Sequence, residues 1–325
     1  MQFQISFPIA KQAKQIAYPD KITLIGSCFT ENMAKRLEDR KWQTLQNPHG
    51  ILFNPVSVHT CIRDVVRKQV YTQDHLFYLN EMWHSWLHHS RFSGVTPEDA
   101  LQKMNASIAE ANAFFKSSNW LVITLGSAFA YRHNDLDMHV SNNHRAPAQW
   151  FTKELLDTNF IIAQMQSSIA MLKEFNPALQ IIFTISPVRH LRDGVIDNNR
   201  SKSRLIEAVH QLVNANDHCY YFPSYEIVID ELRDYRFFDI DFAHPNYSAT
   251  EYVWERFKEI AIDEKCYERM EEIYKIKLAI HHKTQNPASN AHQQFLQTYL
   301  DKCVLLEKNY PFFNLRAEKE FFTKK

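Results

Sequence analysis

The chain has 325 residues, 45% of them hydrophobic, and its 37 basic and 37 acidic side chains give a formal net charge of zero. This hydrophobic content is enough to form a buried core, so we expect a folded globular protein with one large domain or two domains of ordinary size. Because charges of both signs are interspersed, the sequence predicts no basic surface for nucleic acid or for an anionic membrane.

The compartment is predicted from the first residues and the cysteines. Residues 1–14 lack the features of a signal peptide, and no apolar run is long enough to span a bilayer. Five widely spaced cysteines, an odd number without a Cys-x-x-Cys motif, are typical of reduced thiols. They are Cys28, Cys61, Cys219, Cys266 and Cys303. We therefore expect a cytoplasmic protein.

The first predicted elements are a strand, a tight turn and a helix. Ile22 to Ile25 is a short β-branched and apolar run, Gly26 permits the turn, and an amphipathic helix follows. Ser27 or Cys28 at the helix start is a candidate nucleophile, because it lies at a strand's carboxyl end beside the positive end of the helix dipole. The structural alternative is that Ser27 caps the helix and Cys28 is a small core residue.

The chain then alternates strands with helices. Further strands are predicted at residues 41–45, 119–126, 179–185 and 219–222. Helices are predicted at residues 56–70, 96–116, 153–175, 201–214 and 248–260, and throughout the chain after residue 267 with breaks near 287 and 311. Residues 73–92 and 131–147 predict short aromatic-rich strands and a hairpin. This order favours a mostly parallel sheet with helices on both faces and a ligand beyond the carboxyl ends of its strands.

Asp241 and His244 are the strongest candidates for acid–base chemistry. They lie three residues apart, and Pro245 follows, so one loop can hold both side chains on the same side. That spacing suits a carboxylate that orients a histidine, which in turn serves as general base for a hydroxyl or thiol. Isolated pairs of this kind are usually structural, so the pair needs a nucleophile from elsewhere in the chain.

A metal site is an alternative interpretation of the histidines between residues 84 and 89. His84 and His88 have the spacing of two ligands on one helical face, but the residue after His84 is Ser85 rather than the glutamate of a zincin motif. The tryptophans around them favour a packed aromatic segment. We predict no metal and no cofactor.

Several short motifs together resemble a known family. The block order of SGNH (GDSL-type) hydrolases is matched by Leu-Ile-Gly-Ser-Cys-Phe-Thr from Leu24, by Gly50, by Leu125-Gly126 and by Asp-Phe-Ala-His-Pro-Asn from Asp241. More closely, the chain resembles the GSCFA family of that superfamily, through further stretches at residues 47–52, 186–190, 221–226 and 232–236. The resemblance implies a three-layer α/β/α, flavodoxin-like fold with a parallel sheet, aromatic-rich insertions and a C-terminal helical extension. We expect residues 1–262 to form the main domain and residues 263–325 the extension.

The resemblance also implies an esterase or acyltransferase site. Asp241 and His244 match the acid and base positions, and an ungapped match places Cys28 at the position of the nucleophilic serine, with Ser27 at the preceding aspartate position. Thr30 supports this register. We favour Cys28 over Ser27, and we expect a lowered pKa for its thiol at the helix N-terminus.

The oxyanion hole departs from the superfamily pattern. The Gly-x-Asn-Asp block reads Gly-Ser-Ala-Phe from Gly126, so Ala128 replaces the asparagine donor. The backbone amides of Cys28 and Gly50 remain as donors, and Gly126 is a further oxyanion or substrate position. Four side chains are candidate replacements for the missing donor: Asn54, Asn143, His144 and His190.

Two functions follow from these patterns. The first is a hydrolase or acyltransferase that forms an acyl-enzyme on a small-molecule or carbohydrate ester, the carbohydrate being an expectation from the superfamily. The second is a non-catalytic ligand-binding protein on a degenerate SGNH fold, favoured by the missing asparagine. The sequence specifies no oligomeric state.

Overall fold

Ten strands and ten helices are formed by residues 5–323, the part of the chain that the computed structural model describes. The strands are β1 (Lys21–Gly26), β2 (Gln43–Gln46), β3 (Phe77–Leu79), β4 (Met82–His84), β5 (Trp120–Leu125), β6 (Phe129–His133), β7 (Met138–Val140), β8 (Phe151–Leu155), β9 (Gln180–Ile185) and β10 (Cys219–Phe222). The helices are α1 (Cys28–Glu38), α2 (Pro55–Val66), α3 (Pro97–Phe115), α4 (Thr158–Phe175), α5 (Gly194–Asn214), the short α6 (Ser224–Glu226), α7 (Tyr247–Ala261), α8 (Tyr267–Ile280), α9 (Asn290–Asn309) and α10 (Arg316–Thr323).

The central sheet has five strands in the order β2-β1-β5-β9-β10, and every neighbouring pair is parallel. The sheet grows from β1 in both directions, so a topological switch point lies between β1 and β5. Ligands bind at such a point, beyond the carboxyl ends of the strands. The predicted parallel α/β sheet is confirmed, and its strand order is the flavodoxin-like one.

Two apolar layers cover the sheet because successive side chains of a strand point to opposite faces. In β1, Ile25 joins a core beneath α2, α3, α4 and α5, whereas Ile22 and Leu24 join a second core with residues of α1 and α7. Trp254 of α7 is fully buried in that second core. The three-layer α/β/α arrangement is therefore confirmed.

The predicted helix boundaries are partly wrong. The helix predicted from residue 153 begins at Thr158, because residues 151–155 pair with β6 as β8 and Asp157 caps the helix by accepting from the backbone of Asn159. Helix α2 ends at Val66 rather than near residue 70, since Lys68 has a φ of 52°. Helix α5 begins at Gly194, seven residues before its predicted start at residue 201.

The aromatic-rich insertions form two small antiparallel sheets, β3-β4 and β7-β6-β8. Trp86 stacks on Phe77 with ring centroids 3.6 Å apart, and Val140 and Ala146 complete a small apolar cluster around them. The predicted aromatic-rich insertions are therefore confirmed, and they form two small sheets of their own that are separate from the central sheet.

The C-terminal helices α8, α9 and α10 share an apolar cluster that includes Leu306 and Phe313. Leu306 is buried in this cluster, whereas Leu305 on the same helix is exposed. Tyr18 packs edge-on against Phe313 and connects this cluster to the main body. The division at residue 262 stays a prediction. None of the helices within residues 5–323 combines the length and the apolarity that a membrane crossing requires.

Candidate active site

The turn after β1 is fixed by a glycine. Gly26 has a φ of 148°, and a Cβ at this position would lie 2.2 Å from the carbonyl oxygen of Thr124 on β5. Its amide donates to Oδ1 of Asn47 over 2.9 Å, and its carbonyl accepts from Leu52. The chain therefore passes close to β5 and starts α1 with Cys28 at the switch point.

Ser27 and Cys28 have different surroundings. Ser27 occupies the N-cap position of α1, but its side chain makes no capping hydrogen bond, and its Oγ is buried without a partner. The alternative of Ser27 as a side-chain cap is therefore wrong. Cys28 is partly exposed and lines the cleft at the carboxyl end of β1.

The expected lowering of the Cys28 pKa is wrong. Burial raises the pKa of the thiol and outweighs the backbone amide of Phe29, whose hydrogen bond lowers it. Glu31 adds a smaller increase, and Lys202 a smaller decrease. The sulfur is therefore a thiol near neutral pH and needs a base before it can act as a nucleophile.

Asp241 and His244 form a hydrogen-bonded pair. Nδ1 of His244 donates to Oδ2 of Asp241 over 2.6 Å, and Oδ1 of Asp241 accepts from the backbone amides of Ala243 and His244. These bonds from His244 and Ala243 hold the pKa of Asp241 well below its usual range. With Nδ1 occupied, Nε2 of His244 is the nitrogen available to accept a proton.

Arg189, four residues after the end of β9, holds the loop that carries this pair. Its backbone amide donates to the carbonyl of Ala243 over 3.1 Å, and its Nη1 donates to the carbonyl of Phe242 over 3.2 Å. The guanidinium also lies 4.1 Å from the ring centroid of Phe238. The loop is thereby fixed to the carboxyl end of a central strand.

Cys28 and His244 line one cleft with a volume of about 480 Å³. The cleft runs along α1 and is bounded by residues of α7 and by Tyr274 of α8. Within residues 5–323, no hydrogen bond joins the Cys28 sulfur to the His244 ring. Catalytic hydrogen bonds are often long in proteins without substrate and tighten in the complex, so this separation does not exclude the pair.

Three oxyanion candidates near the turn already have hydrogen-bond partners. The amide of Gly50 donates to the carbonyl of Asn47 over 2.7 Å, and the amide of Gly126 donates to the carbonyl of Phe53 over 2.8 Å. Oδ1 of Asn54 accepts from the backbone of Ser57 over 2.9 Å as the N-cap of α2.

Asn143 and His144 lie in the loop after β7. Nε2 of His144 donates to the carbonyl of Ser85, and its ring packs 4.4 Å from that of His84. The carbonyl of Asn143 accepts from Ala146. Neither residue lines the cleft of Cys28 and His244.

His190 lies beside Gly126, and neither residue is among those that line the cleft of Cys28 and His244. Its Nε2 is buried without a hydrogen-bond partner, and a Cβ on Gly126 would lie 3.4 Å from that nitrogen. Burial lowers the pKa of His190 to about 4, and the positive charge of Lys202 contributes to the decrease, so the ring is neutral near pH 7. A neutral ring with a proton on Nε2 is a hydrogen-bond donor.

Lys202 is a site residue that the sequence reasoning missed. It is 1% exposed, and its Nζ donates to the carbonyls of Gly126 over 2.7 Å and Ser186 over 2.6 Å. One signal was present in the sequence. Lys202, Leu205 and Val209 follow helical spacing, which places the lysine on the apolar face of its helix.

The histidines of the insertion are used in hydrogen bonds. His84 pairs through Nδ1 with Oγ of Ser93 and donates from Nε2 to the carbonyl of Leu79, while His88 pairs through Nδ1 with Oγ of Ser85. Among the residues that the structure describes, no group of three or more His, Cys, Asp or Glu side chains is arranged to hold a metal ion.

Three solved structures align with this chain at low sequence identity. An acetyl xylan esterase from the rumen bacterium Butyrivibrio proteoclasticus is 12% identical with a TM-score of 0.38, and the match covers 78% of this chain and 66% of that chain. A family two carbohydrate esterase from Clostridium thermocellum, in complex with cellohexaose, is also 12% identical with a TM-score of 0.37 and the same coverage. A carbohydrate esterase described as having divergent catalytic and non-catalytic binding functions is 13% identical with a TM-score of 0.33, over 73% of this chain and 66% of that chain. These identities are too low for a role or a substrate to pass from those proteins to this one.

The family of this chain is identified from its sequence. The comparison with curated proteins gives no match. The GSCFA family matches residues 21–257, which include the β1 turn, Lys202 and the Asp241–His244 loop, and the C-terminal domain of GSCFA domain proteins matches residues 273–325. The resemblance seen in the motifs is confirmed, and the chain belongs to the GSCFA family.

Proposed function

We propose that this protein is an ester hydrolase or acyltransferase that forms an acyl-enzyme on Cys28. The observation that carries the proposal is that Cys28 and His244 line one cleft at the switch point of the sheet, with Asp241 bound to the far nitrogen of the His244 ring. A nucleophile, a base and an orienting carboxylate are the components of acyl transfer.

The first half of the reaction acylates the sulfur. Nε2 of His244 takes the proton from the thiol as the sulfur attacks the ester carbonyl, and a tetrahedral intermediate with a negatively charged oxygen forms. When the intermediate collapses, the carbon–oxygen bond of the ester breaks, and the leaving alkoxide takes the proton from His244. The products are an alcohol and a thioester on Cys28.

The second half regenerates the thiol. Water, in a hydrolase, or an acceptor hydroxyl, in an acyltransferase, gives its proton to His244 and attacks the thioester. The carbon–sulfur bond breaks, and the sulfur recovers the proton from His244. An acid or a new ester leaves, so atoms and charge balance in either case. Both halves require Cys28 and His244 to approach each other when substrate enters.

The oxyanion hole in this proposal uses His190. Ala128 is fully buried and has no polar side-chain group, so it cannot donate to the developing oxyanion. The backbone amide of Cys28 and Nε2 of His190 take that role, because Nε2 has no other partner and lies beside Gly126. Asn54, Asn143 and His144 have less support, because none of them has a buried, unpartnered nitrogen beside Gly126.

The substrate is proposed from the family resemblance alone. A small-molecule or carbohydrate ester is the expected class, and an acetylated sugar is the natural first probe for the carbohydrate. Comparing the products formed with and without an added acceptor sugar distinguishes hydrolysis from transfer.

Hydrolysis of short acyl nitrophenyl esters tests the proposal. We expect wild-type protein and the Ser27→Ala variant to release nitrophenol above background, and the Cys28→Ala and His244→Ala variants to lose this activity. Ser27→Ala is the matched control, because it removes a neighbouring hydroxyl that has no hydrogen-bond partner. Turnover that survives in Cys28→Ala but disappears in Ser27→Ala would reassign the nucleophile.

A non-catalytic binding protein is the second candidate. The specific observations in its favour are the buried Ala128 at the position of the asparagine donor and the lack of a Cys28–His244 hydrogen bond within residues 5–323. This candidate predicts no acyl turnover above background with either nitrophenyl or sugar esters, and no effect of His244→Ala. Saturable binding of the unreacted ester would then identify the cleft as a binding site.

A further inference from the structure

Lys202 is a buried side chain to which the acyl-transfer steps described above assign no role. It lies on the face of α5 that packs on the sheet, and only 1% of its surface is exposed. No acidic side chain forms a salt bridge with it within residues 5–323. A buried ammonium without a counter-ion costs free energy, and an apolar side chain of similar volume would fill this space at a lower cost. Packing alone therefore does not account for a lysine here.

The two hydrogen bonds of Lys202 join neighbouring strands at the edge where the cleft opens. Gly126 directly follows β5, and Ser186 directly follows β9, so one ammonium binds the first carbonyl beyond each strand. Gly126 in turn lies against His190, the proposed oxyanion donor. Lys202 therefore binds the backbone that lies against the proposed oxyanion donor.

The charge of Lys202 also acts on the nucleophile. Burial lowers the pKa of Lys202 to about 7, and negative charge on Cys28 raises it. Conversely, Lys202 lowers the pKa of Cys28, although burial of the thiol dominates. The other groups that face the ammonium are His190, whose pKa it lowers, and the Tyr225 ring, whose centroid lies 5.8 Å away.

We propose that Lys202 is a positioning residue that ties the ends of β5 and β9 together beneath the cleft. It also places a positive charge that stabilises the negative charge formed first on the Cys28 sulfur and then on the substrate carbonyl oxygen. This inference rests on the proposed acyl transfer at Cys28. Ala128 stands where the superfamily pattern has an asparagine donor. The Lys202 ammonium replaces that donor by stabilising the oxyanion from a longer distance.

The chemistry of an amine allows Lys202 to do both tasks. A protonated lysine has three N–H groups and a neutral lysine has two, and either number serves the two carbonyls of Gly126 and Ser186. The residue can therefore gain or lose its charge without releasing the strand ends. Proton uptake by Lys202 accompanies formation of negative charge nearby, and none of these steps needs another reactant.

Alkylation of Cys28 as a function of pH tests this role without any ester substrate. The rate of carbamidomethylation by iodoacetamide, followed on the Cys28 peptide by mass spectrometry, reports the fraction of thiolate. We expect Lys202→Gln, which keeps amide donors but loses the charge, to lower the alkylation rate below about pH 7, where Lys202 is charged, and to match wild type in alkaline solution, where Lys202 is neutral. Lys202→Arg, which carries a charge at every pH, should keep the wild-type rate below about pH 7 and exceed it in alkaline solution.

Arg204→Gln is the matched control. Arg204 lies on the same helix and also donates to two backbone carbonyls, those of Leu155 and Leu156, but these belong to the β8 region rather than to the cleft. Its replacement should leave the Cys28 profile unchanged. An unchanged alkylation rate below about pH 7 in folded Lys202→Gln, or an equal decrease in Arg204→Gln, overturns the inference and leaves the acyl-enzyme proposal to its own test.

A reciprocal measurement covers the case in which Lys202→Gln does not fold. Carbon-13 labelling of lysine side chains follows the titration of Lys202 by NMR, and the absence of its signal in Lys202→Arg assigns it. We expect Cys28→Asp, which places a carboxylate at this position, to raise the titration midpoint of Lys202, because a nearby negative charge favours the ammonium. An unchanged midpoint in Cys28→Asp contradicts the coupling.

Discussion

Nδ1 of His244 donates to Oδ2 of Asp241 over 2.6 Å, and this contact fixes which nitrogen of the ring faces a substrate. Asp241→Asn removes the charged acceptor and allows the other tautomer, with its proton on Nε2. We expect kcat for nitrophenyl ester hydrolysis to fall by roughly a hundredfold or more, with a smaller effect on KM. Steady-state kinetics check this, and Asp239→Asn is the control from the same loop. Equal losses in both variants would point to loop folding instead of ring orientation.

The pH dependence of His244→Ala tests the role of the histidine as base. Burial raises the pKa of the Cys28 thiol, so near neutral pH the sulfur is protonated and depends on a base. As the pH rises toward the pKa of the thiol, thiolate forms without His244. We therefore expect the activity of His244→Ala, relative to wild type, to be lowest near neutrality and to recover in alkaline solution. A ratio that is constant across the pH range contradicts this role.

His190→Ala tests the proposed oxyanion donor. The variant removes the unpartnered Nε2 beside Gly126, so stabilisation is lost in the transition state and not in the bound substrate. We expect kcat to fall by roughly a hundredfold while KM changes little. His139→Ala is the control, because His139 lies on β7 and pairs with Glu154 in the insertion. A change in KM alone would assign His190 to substrate binding.

Buried histidines predict a loss of stability in acid. Burial lowers the pKa of His49 from 6.5 to about 4 and that of His88 well below 6.5, although Asp64 partly opposes the effect on His49. Below pH 6.5 the unfolded chain binds protons that the folded chain does not, so stability is full above pH 6.5 and falls between pH 6.5 and about 4. At pH 5 the His49 ring alone should lower the free energy of unfolding by roughly 2 kcal/mol.

Urea unfolding at pH 8 and pH 5 measures that loss. His49→Gln should show a smaller decrease between the two pH values than wild type, whereas His282→Gln, which replaces an exposed histidine, should show the same decrease as wild type. An identical pH dependence in His49→Gln and wild type would contradict the burial argument.

The fold could be predicted from the sequence wherever local patterns were decisive. The run from Ile22 to Ile25 and Gly26 predicted β1 and its turn, because a buried parallel strand is uniformly apolar and only glycine accepts this backbone beside β5. The helix predicted at residues 96–116 is α3, Pro97–Phe115, because Thr96 caps its start and Pro97 fits its first turn. In contrast, residues 153–155 of β8 fall within the predicted helix at residues 153–175. The pairing of β8 with β6 depends on residues distant in the chain, so no local pattern indicates the strand.

The candidate site was only partly predictable. The sequence spacing alone predicted that Asp241 and His244 lie together, because residues three apart in one loop are neighbours in the structure. The chemistry of a helix N-terminus predicted a lowered pKa for Cys28, but the degree of burial that reverses the shift is a tertiary property. Lys202 reaches the carboxyl ends of β5 and β9 from a helix of the opposite layer, and only three-dimensional packing reveals which carbonyls it binds.

Mass spectrometry of the protein during turnover tests the central claim most directly. After rapid mixing with nitrophenyl acetate and acid quenching, we predict a mass increase of one acetyl group on the peptide that contains Cys28. The modification should form and decay at rates that match nitrophenol release, form more slowly in His244→Ala and be absent in Cys28→Ala. Turnover with no acyl group on Cys28, or with the acyl group on Ser27, would contradict the account.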